Sequence, residues 1–189
     1  MRDKEINAIQ ELYSKILNTK IDLPKIVVVG PQSSGKSSVL EQLLQLDFLP
    51  RGVNMVTRCP IVINLRENTE EFINVQDEDI TYTDKDEIRE KIEEKVTEIC
   101  GPHGVSNTPL VIYVHKKDTL QTTLIDLPGL TKIPVDQQPK DIEKQIEDIV
   151  LECSSGLSTI ILAIVNANVD ISNSEALKIA RRVDDQLEQ

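Results

Sequence analysis

The sequence predicts an α/β fold of three layers, with helices on both faces of a largely parallel central sheet. Two observations carry the prediction. Short β-branched runs alternate along the chain with segments whose apolar residues recur at helical spacing. One of those junctions, Gly30 to Ser37, reads GPQSSGKS and stands directly between an apolar run and an apolar-striped segment.

The elements follow in order. Ile6, Ile9, Leu12, Ile16 and Leu17 predict an amphipathic helix over residues 5–17, in an amino-terminal segment 1–22 ahead of the main domain at 23–189. KIVVV at 25–29 is a buried strand, and the next helix carries Val39, Leu40, Leu43 and Leu44 on one face. The irregular stretch 47–60 leads to candidate strands at 61–65, 71–75 and 79–83. A charged helix spans 84–100, with Ile88, Ile92, Val96 and Ile99 as its stripe and Glu87 and Lys91 spaced for a surface pair. Strands at 109–115 and 122–126 precede a second irregular loop, 127–139. Pro139 and Gly156 bracket a helix with Ile142, Ile146, Ile149, Val150 and Cys153 inward. STIILAIV at 158–165 is the most apolar strand, and residues 173–183 make a last helix.

Composition narrows the function. A chain of 189 residues suits one sizeable core, and with three tyrosines, two phenylalanines and no tryptophan that core is aliphatic. Twenty-one basic against 32 acidic side chains give a net charge of −11, which repels nucleic acid and anionic lipid over most of the surface. Any phosphate therefore needs a local, built site. Cys59, Cys100 and Cys153 are odd in number, far apart in sequence and without a CxxC pair, so they read as reduced thiols rather than as a zinc site or a disulfide framework. The longest apolar run is too short to span a bilayer.

The site residues centre on Gly30–Ser37, which fits G-x-x-x-x-G-K-[ST]. Its glycines let successive N–H groups turn toward an anion, and the helix that follows adds its amino-terminal partial charge. Lys36 is placed to reach β- and γ-phosphates, and the Ser37 hydroxyl to ligate Mg²⁺. The fold class is thus a three-layer P-loop NTPase. Asp126, in Asp126-Leu-Pro-Gly129, ends an apolar strand where it can hold a water on the metal, and Gly129 permits close backbone approach to the γ-phosphate. These residues do not separate a GTPase from an ATPase or a small-molecule kinase.

Taken together, QSSGKSSVLE, FLPRG, VTRCPIVINL, DLPGLTK, DQQPKDIEKQI and ANVDISNSEALKIARRVD resemble the GTPase domain of the dynamin superfamily of large GTPases, over about residues 23–184. The resemblance implies Mg²⁺-dependent GTP hydrolysis coupled to self-assembly and membrane remodelling. It places Gln32, Ser33, Thr57 and Gly129 in catalysis. Nucleotide contacts fall to Gln32, Ser33, Ser34, Gly35, Lys36, Ser37, Ser38, Arg51 and Gly52, and Thr57 joins Ser37 at the metal. Ser33 and the backbone near Gly52 would hold a monovalent cation, Na⁺ or K⁺, in the role other GTPases give to an arginine finger. Asn54 stands where the family's cation loop commonly has glycine, and Pro31 where relatives often have glycine or aspartate.

Asp170 matches a loop that reaches across a dimer of GTPase domains. Membranes and cytoskeleton, microtubules included, would be engaged through parts beyond these residues, in a cytoplasmic protein peripheral to membranes. Relatives read guanine with an [NT]-K-x-D element shortly after the helix that ends near Val183, and the closing DDQLEQ holds none. The expectation is a GTPase domain without its carboxyl-terminal part, with one sheet edge and some apolar surface open. A non-enzymatic interaction fragment and an ATP-using phosphate-loop protein are the alternatives.

Overall fold

A computed structural model of the chain describes residues 24–52, 55–76, 78–131, 139, 141–156 and 158–187. The expected helix over 5–17, Asn54 and the loop 132–138 lie outside the described residues.

The sheet is built from β1 (Lys25–Val29), β2 (Ile61–Glu67), β3 (Phe72–Val75), β4 (Thr81–Tyr82), β5 (Leu110–Lys116), β6 (Thr123–Asp126) and β7 (Thr159–Ala163). Its order is β4-β3-β5-β2-β6-β1-β7. The helices are α1 (Lys36–Leu44), α2 (Lys85–Cys100), α3 (Ile142–Ser154) and α4 (Glu175–Leu187), with a 3₁₀ turn at Ile171–Asn173 ahead of α4.

Parallel pairing joins β6, β1 and β7, the half that carries the site, and also joins β2 to β5. The two groups meet antiparallel at β2–β6, and β3 and β4 add antiparallel pairs at the far edge. Val27 and Val29 face one side of β1 and Val28 the other, the period-two pattern of a strand buried on both faces. Val28 packs with Leu40 and Leu44 of α1 and with Ile88, Ile92 and Val96 of α2. On the opposite face, Val27, Val29, Ile125 and Leu127 pack with Ile142, Ile146 and Val150 of α3 and Ala176, Ile179 and Val183 of α4. These are the three layers that the alternating pattern predicts.

Helix starts follow their local chemistry. The Asp84 carboxylate accepts the N–H groups of Asp86 and Glu87 at 2.8 and 3.0 Å and caps α2, whose first turn is acidic as the helix dipole favours. Lys91 does not take Glu87 as its partner. It turns to Glu78 at 2.9 Å and Glu94 at 3.0 Å, because Glu78, in the β3–β4 connection, offers a mostly buried carboxylate beside it. The most apolar strand, β7, ends the described sheet order, and Ile160 on it is exposed. No helix among the described residues is long and apolar enough to cross a membrane.

Candidate functional site

The phosphate loop runs from the end of β1 into α1 and owes its shape to two left-handed residues. Ser33 has φ 60° and Gly35 φ 90°. A Cβ on Gly35 would meet nothing within 4 Å, so backbone conformation and not crowding is what calls for glycine there. Gly35 is also the residue before α1, and no side chain caps that helix, which leaves its first N–H groups without intrahelical partners.

The loop is pinned from the side by the segment after β6. The Gln32 N–H donates to the Leu130 carbonyl at 3.1 Å, and the Leu130 N–H to Gly30 at 3.0 Å. The pairing brings Gly129 so close that a Cβ on it would stand 2.6 Å from the Gln32 Cα and 2.9 Å from its nitrogen. Gly129→Ala must therefore drive two backbone segments apart. We expect it to lower stability by about 1–3 kcal/mol, the range for overpacking a close contact, as measured by thermal unfolding.

A cavity of about 290 Å³ opens over this loop. It is lined by Gln32, Ser33, Gly35, Lys36, Ser37 and Ser38 of the loop and the start of α1, and by Arg51, Gly52, Thr57 and Gly129 from other segments. Ser34 is not on its wall; its hydroxyl is buried with no hydrogen-bond partner among the described residues. Asp170 is exposed and away from the cavity, where its carboxylate accepts the Ser172 N–H at 2.9 Å and caps the 3₁₀ turn.

Two buried charges belong to the site: Lys36 lines the cavity, and Asp126 lies off its wall, behind Ser37 and Thr57. Lys36, 7% exposed, rests its ammonium on the Pro31 carbonyl at 3.1 Å. Burial lowers its pKa below the ordinary lysine value, and the Asp126 charge offsets that only in part. Asp126, fully buried, accepts the Ser37 hydroxyl at 2.6 Å and the Thr57 hydroxyl at 3.2 Å on one oxygen, Oδ2. Its other oxygen has no partner among the described residues. Burial pushes this carboxyl above the usual aspartate range, against the pull of Ser37, Lys36 and Thr57. Each group is thus held toward its neutral form for want of a counter-charge. An anion over Lys36 and a cation beside Asp126 supply both at once.

The donor set fits a hard divalent cation: two hydroxyls and a carboxylate with a free oxygen, all oxygen ligands converging from three segments. Among the described residues no cluster of three His, Cys, Asp or Glu offers another metal site.

Four lining residues escape the sequence reading: Glu41, Pro50, Met55 and Val56. Glu41 organises one wall. Its buried carboxylate accepts the Leu49 N–H at 2.9 Å and the Arg51 guanidinium at 2.7 Å, and Arg51 also bridges Asp47 at 2.9 Å. Arg89 of α2 takes the same Asp47 carboxylate at 2.9 Å, so the 47–52 segment is held by both neighbouring helices. The signal for Glu41 lies one helical turn after Ser37, as a carboxylate set between Leu40 and Leu44. The tetrapeptide Thr19-Lys20-Ile21-Asp22 has the letters of a guanine-reading element, but it precedes the phosphate loop and lies outside the described residues.

Comparison with known proteins finds relatives over nearly the whole chain. The Dynamin family profile matches residues 26–189. The chain is 45% identical to Dynamin-2 of Rattus norvegicus over 186 residues, covering 96% of this chain and 21% of that protein. It is 45% identical to Dynamin-1-like protein of Mus musculus over 197 residues, 95% of this chain and 27% of that protein. Dynamin-1 of Rattus norvegicus is 44% identical over 184 residues, again 96% and 21%. The chain therefore spans less than a third of the length of these curated relatives.

Proposed function

The chain belongs to the dynamin family, and from that premise we propose that it binds GTP with Mg²⁺ and hydrolyses it to GDP and phosphate. The convergence of the Ser37 and Thr57 hydroxyls on buried Asp126, under a loop that presents Lys36, is the observation that supports this most.

In this reading the Lys36 ammonium leaves the Pro31 carbonyl for the β- and γ-phosphates, exchanging one neutral acceptor for charged ones. The uncapped amino terminus of α1 holds the same phosphates through its N–H groups. Ser37 and Thr57, whose hydroxyls donate to Asp126, would hold Mg²⁺ with that carboxylate, which would reach it through a water. Mg²⁺, when bound, neutralises phosphate charge that develops as the terminal phosphoryl group transfers. Gln32 and Ser33 act beside the γ-phosphate, and Thr57 and Gly129 place the attacking water; all four line the one cavity. Arg51 and Gly52, which line the cavity, contact the nucleotide in this reading, and Ser33 with the backbone at Gly52 would hold Na⁺ or K⁺.

Self-assembly through GTPase domains uses Asp170, which stands exposed between the exposed side chains of Val169 and Ile171. Contacts with membranes and cytoskeleton, and a cytoplasmic location, belong to the same reading of the protein as a dynamin-type GTPase.

Competition decides the nucleotide. GTP is expected to displace a fluorescent guanine nucleotide from the chain at lower concentration than ATP does. Equal displacement, or a preference for ATP, would replace this reading with that of an ATP-using phosphate-loop protein.

A further inference from the structure

Glu41 holds an electrostatically unfavourable place. It lines the cavity over the phosphate loop and is 5% exposed, so an acidic charge stands buried on the wall of a site built for phosphate. Repulsion alone would weaken the anion held there. The Arg51 guanidinium answers that charge at 2.7 Å on Oε2, and the other oxygen, Oε1, accepts the Leu49 N–H at 2.9 Å.

Both oxygens thus grip one short piece of chain. Leu49 is fully buried and its carbonyl accepts Arg89 Nε at 3.3 Å, so α1 and α2 each fix one of its two backbone groups. Pro50, buried between Leu49 and Arg51, holds φ near about −65° and leaves little slack between the two anchored residues. Gly52 comes next. A Cβ on it would stand 3.2 Å from Val56 Cγ2, so its backbone packs on the residue before Thr57. A line of contacts therefore runs from Glu41 through Leu49, Arg51 and Gly52 to the Thr57 segment.

Helix α1 is common to both ends of that line. Ser37 and Glu41 are four residues apart on it and share one face. Ser37 reaches Asp126 at 2.6 Å, and the Thr57 hydroxyl reaches the same Oδ2 at 3.2 Å. One rigid helix carries the end of the phosphate loop and, through a single carboxylate, sets the segment that leads to Thr57.

We propose that Glu41 is a positioning residue for the reaction: it holds residues 49–52, and through their contact with Val56 the Thr57 hydroxyl, in register with the phosphate loop. The effect on turnover rests on the GTPase reading above; the hold on residues 49–52 does not.

The test compares Glu41→Gln with the parent chain. Glutamine keeps the length and an acceptor oxygen for the Leu49 N–H, and sets an NH₂ group where Arg51 finds its second oxygen. The turnover number for GTP should fall about tenfold or more, because a misplacement of about 1 Å among reacting groups costs up to about 10²-fold. Affinity for GDP, read by displacement of a fluorescent guanine nucleotide, should stay within about twofold of the parent or tighten, since an acidic charge leaves the cavity wall and Arg51 loses one of its two carboxylates. Slower turnover with undiminished affinity is a split that loosening of the whole cavity does not produce. Glu41→Ala also strands the Leu49 N–H. Exchange of that amide, followed by NMR, should quicken about tenfold or more while the Leu40 and Leu44 amides of α1 keep their protection.

A Glu41→Gln chain with parental turnover, one whose affinity for GDP drops as far as its turnover, or unaltered Leu49 exchange in Glu41→Ala overturns the proposal. If the parent shows no GTP turnover, the GTPase reading fails by that result, and Leu49 exchange still decides whether Glu41 holds residues 49–52.

Discussion

Asparagine in place of Asp126 is expected to make the nucleotide-free chain more stable and its use of Mg²⁺ poorer. Asp126 is fully buried, one of its oxygens has no partner among the described residues, and burial holds its proton more tightly in the folded chain than in the unfolded one. The stability this group contributes is therefore complete below the ordinary aspartate pKa and declines as pH rises through the higher folded value. Asparagine keeps an oxygen to accept from Ser37 and Thr57 and removes the buried charge. A gain of about 1–2 kcal/mol at neutral pH, on the order of 2–8 °C in melting temperature for a chain of this length, should appear in thermal unfolding. The variant's melting temperature should also fall less between acidic and neutral pH. Against that gain, loss of the carboxylate that holds a water on the metal should raise the Mg²⁺ concentration for half-maximal turnover by about 10–100-fold. A variant that melts lower than the parent, with an unchanged Mg²⁺ requirement, would show that Asp126 is a structural residue.

Alanine at Lys36 should have the larger effect on the reaction. Lys36 is 7% exposed and its ammonium donates to the neutral Pro31 carbonyl, so burial is not offset by a full counter-charge. Bound phosphate corrects this, and truncation discards a charge-assisted contact made where water is excluded. Removing one such donor to developing charge costs about 10²–10³-fold in turnover. Nucleotide affinity should weaken as well, because Lys36 touches ground-state phosphates. Stability should hold or rise, since a buried ammonium goes with it. Circular dichroism and melting of the variant separate this outcome from unfolding.

The sequence made the local parts of this account readable. The strand–loop–helix at Lys25–Leu44 is contiguous, so its residue types alone announce a phosphate site. Asp126 was readable for a similar reason, as a lone acid that ends an apolar run. What stayed hidden depends on which strands and helices become neighbours. Alternation of apolar runs tells helix from strand, but it does not say that β2 inserts between β5 and β6 or that it runs antiparallel to β6. The most apolar strand, β7, ends the described sheet order, a place that apolar content does not specify. The Glu41–Arg51–Asp47–Arg89 network joins segments far apart in the chain, and no spacing rule reaches across such distances.

Phosphate release from GTP by the purified chain, followed with and without Mg²⁺ and compared with Lys36→Ala, tests the central claim most directly. The expected result is steady release that requires Mg²⁺ and falls about 10²–10³-fold in the variant. Release that persists at the parent rate in Lys36→Ala, or that proceeds equally well when the metal is chelated, would contradict it.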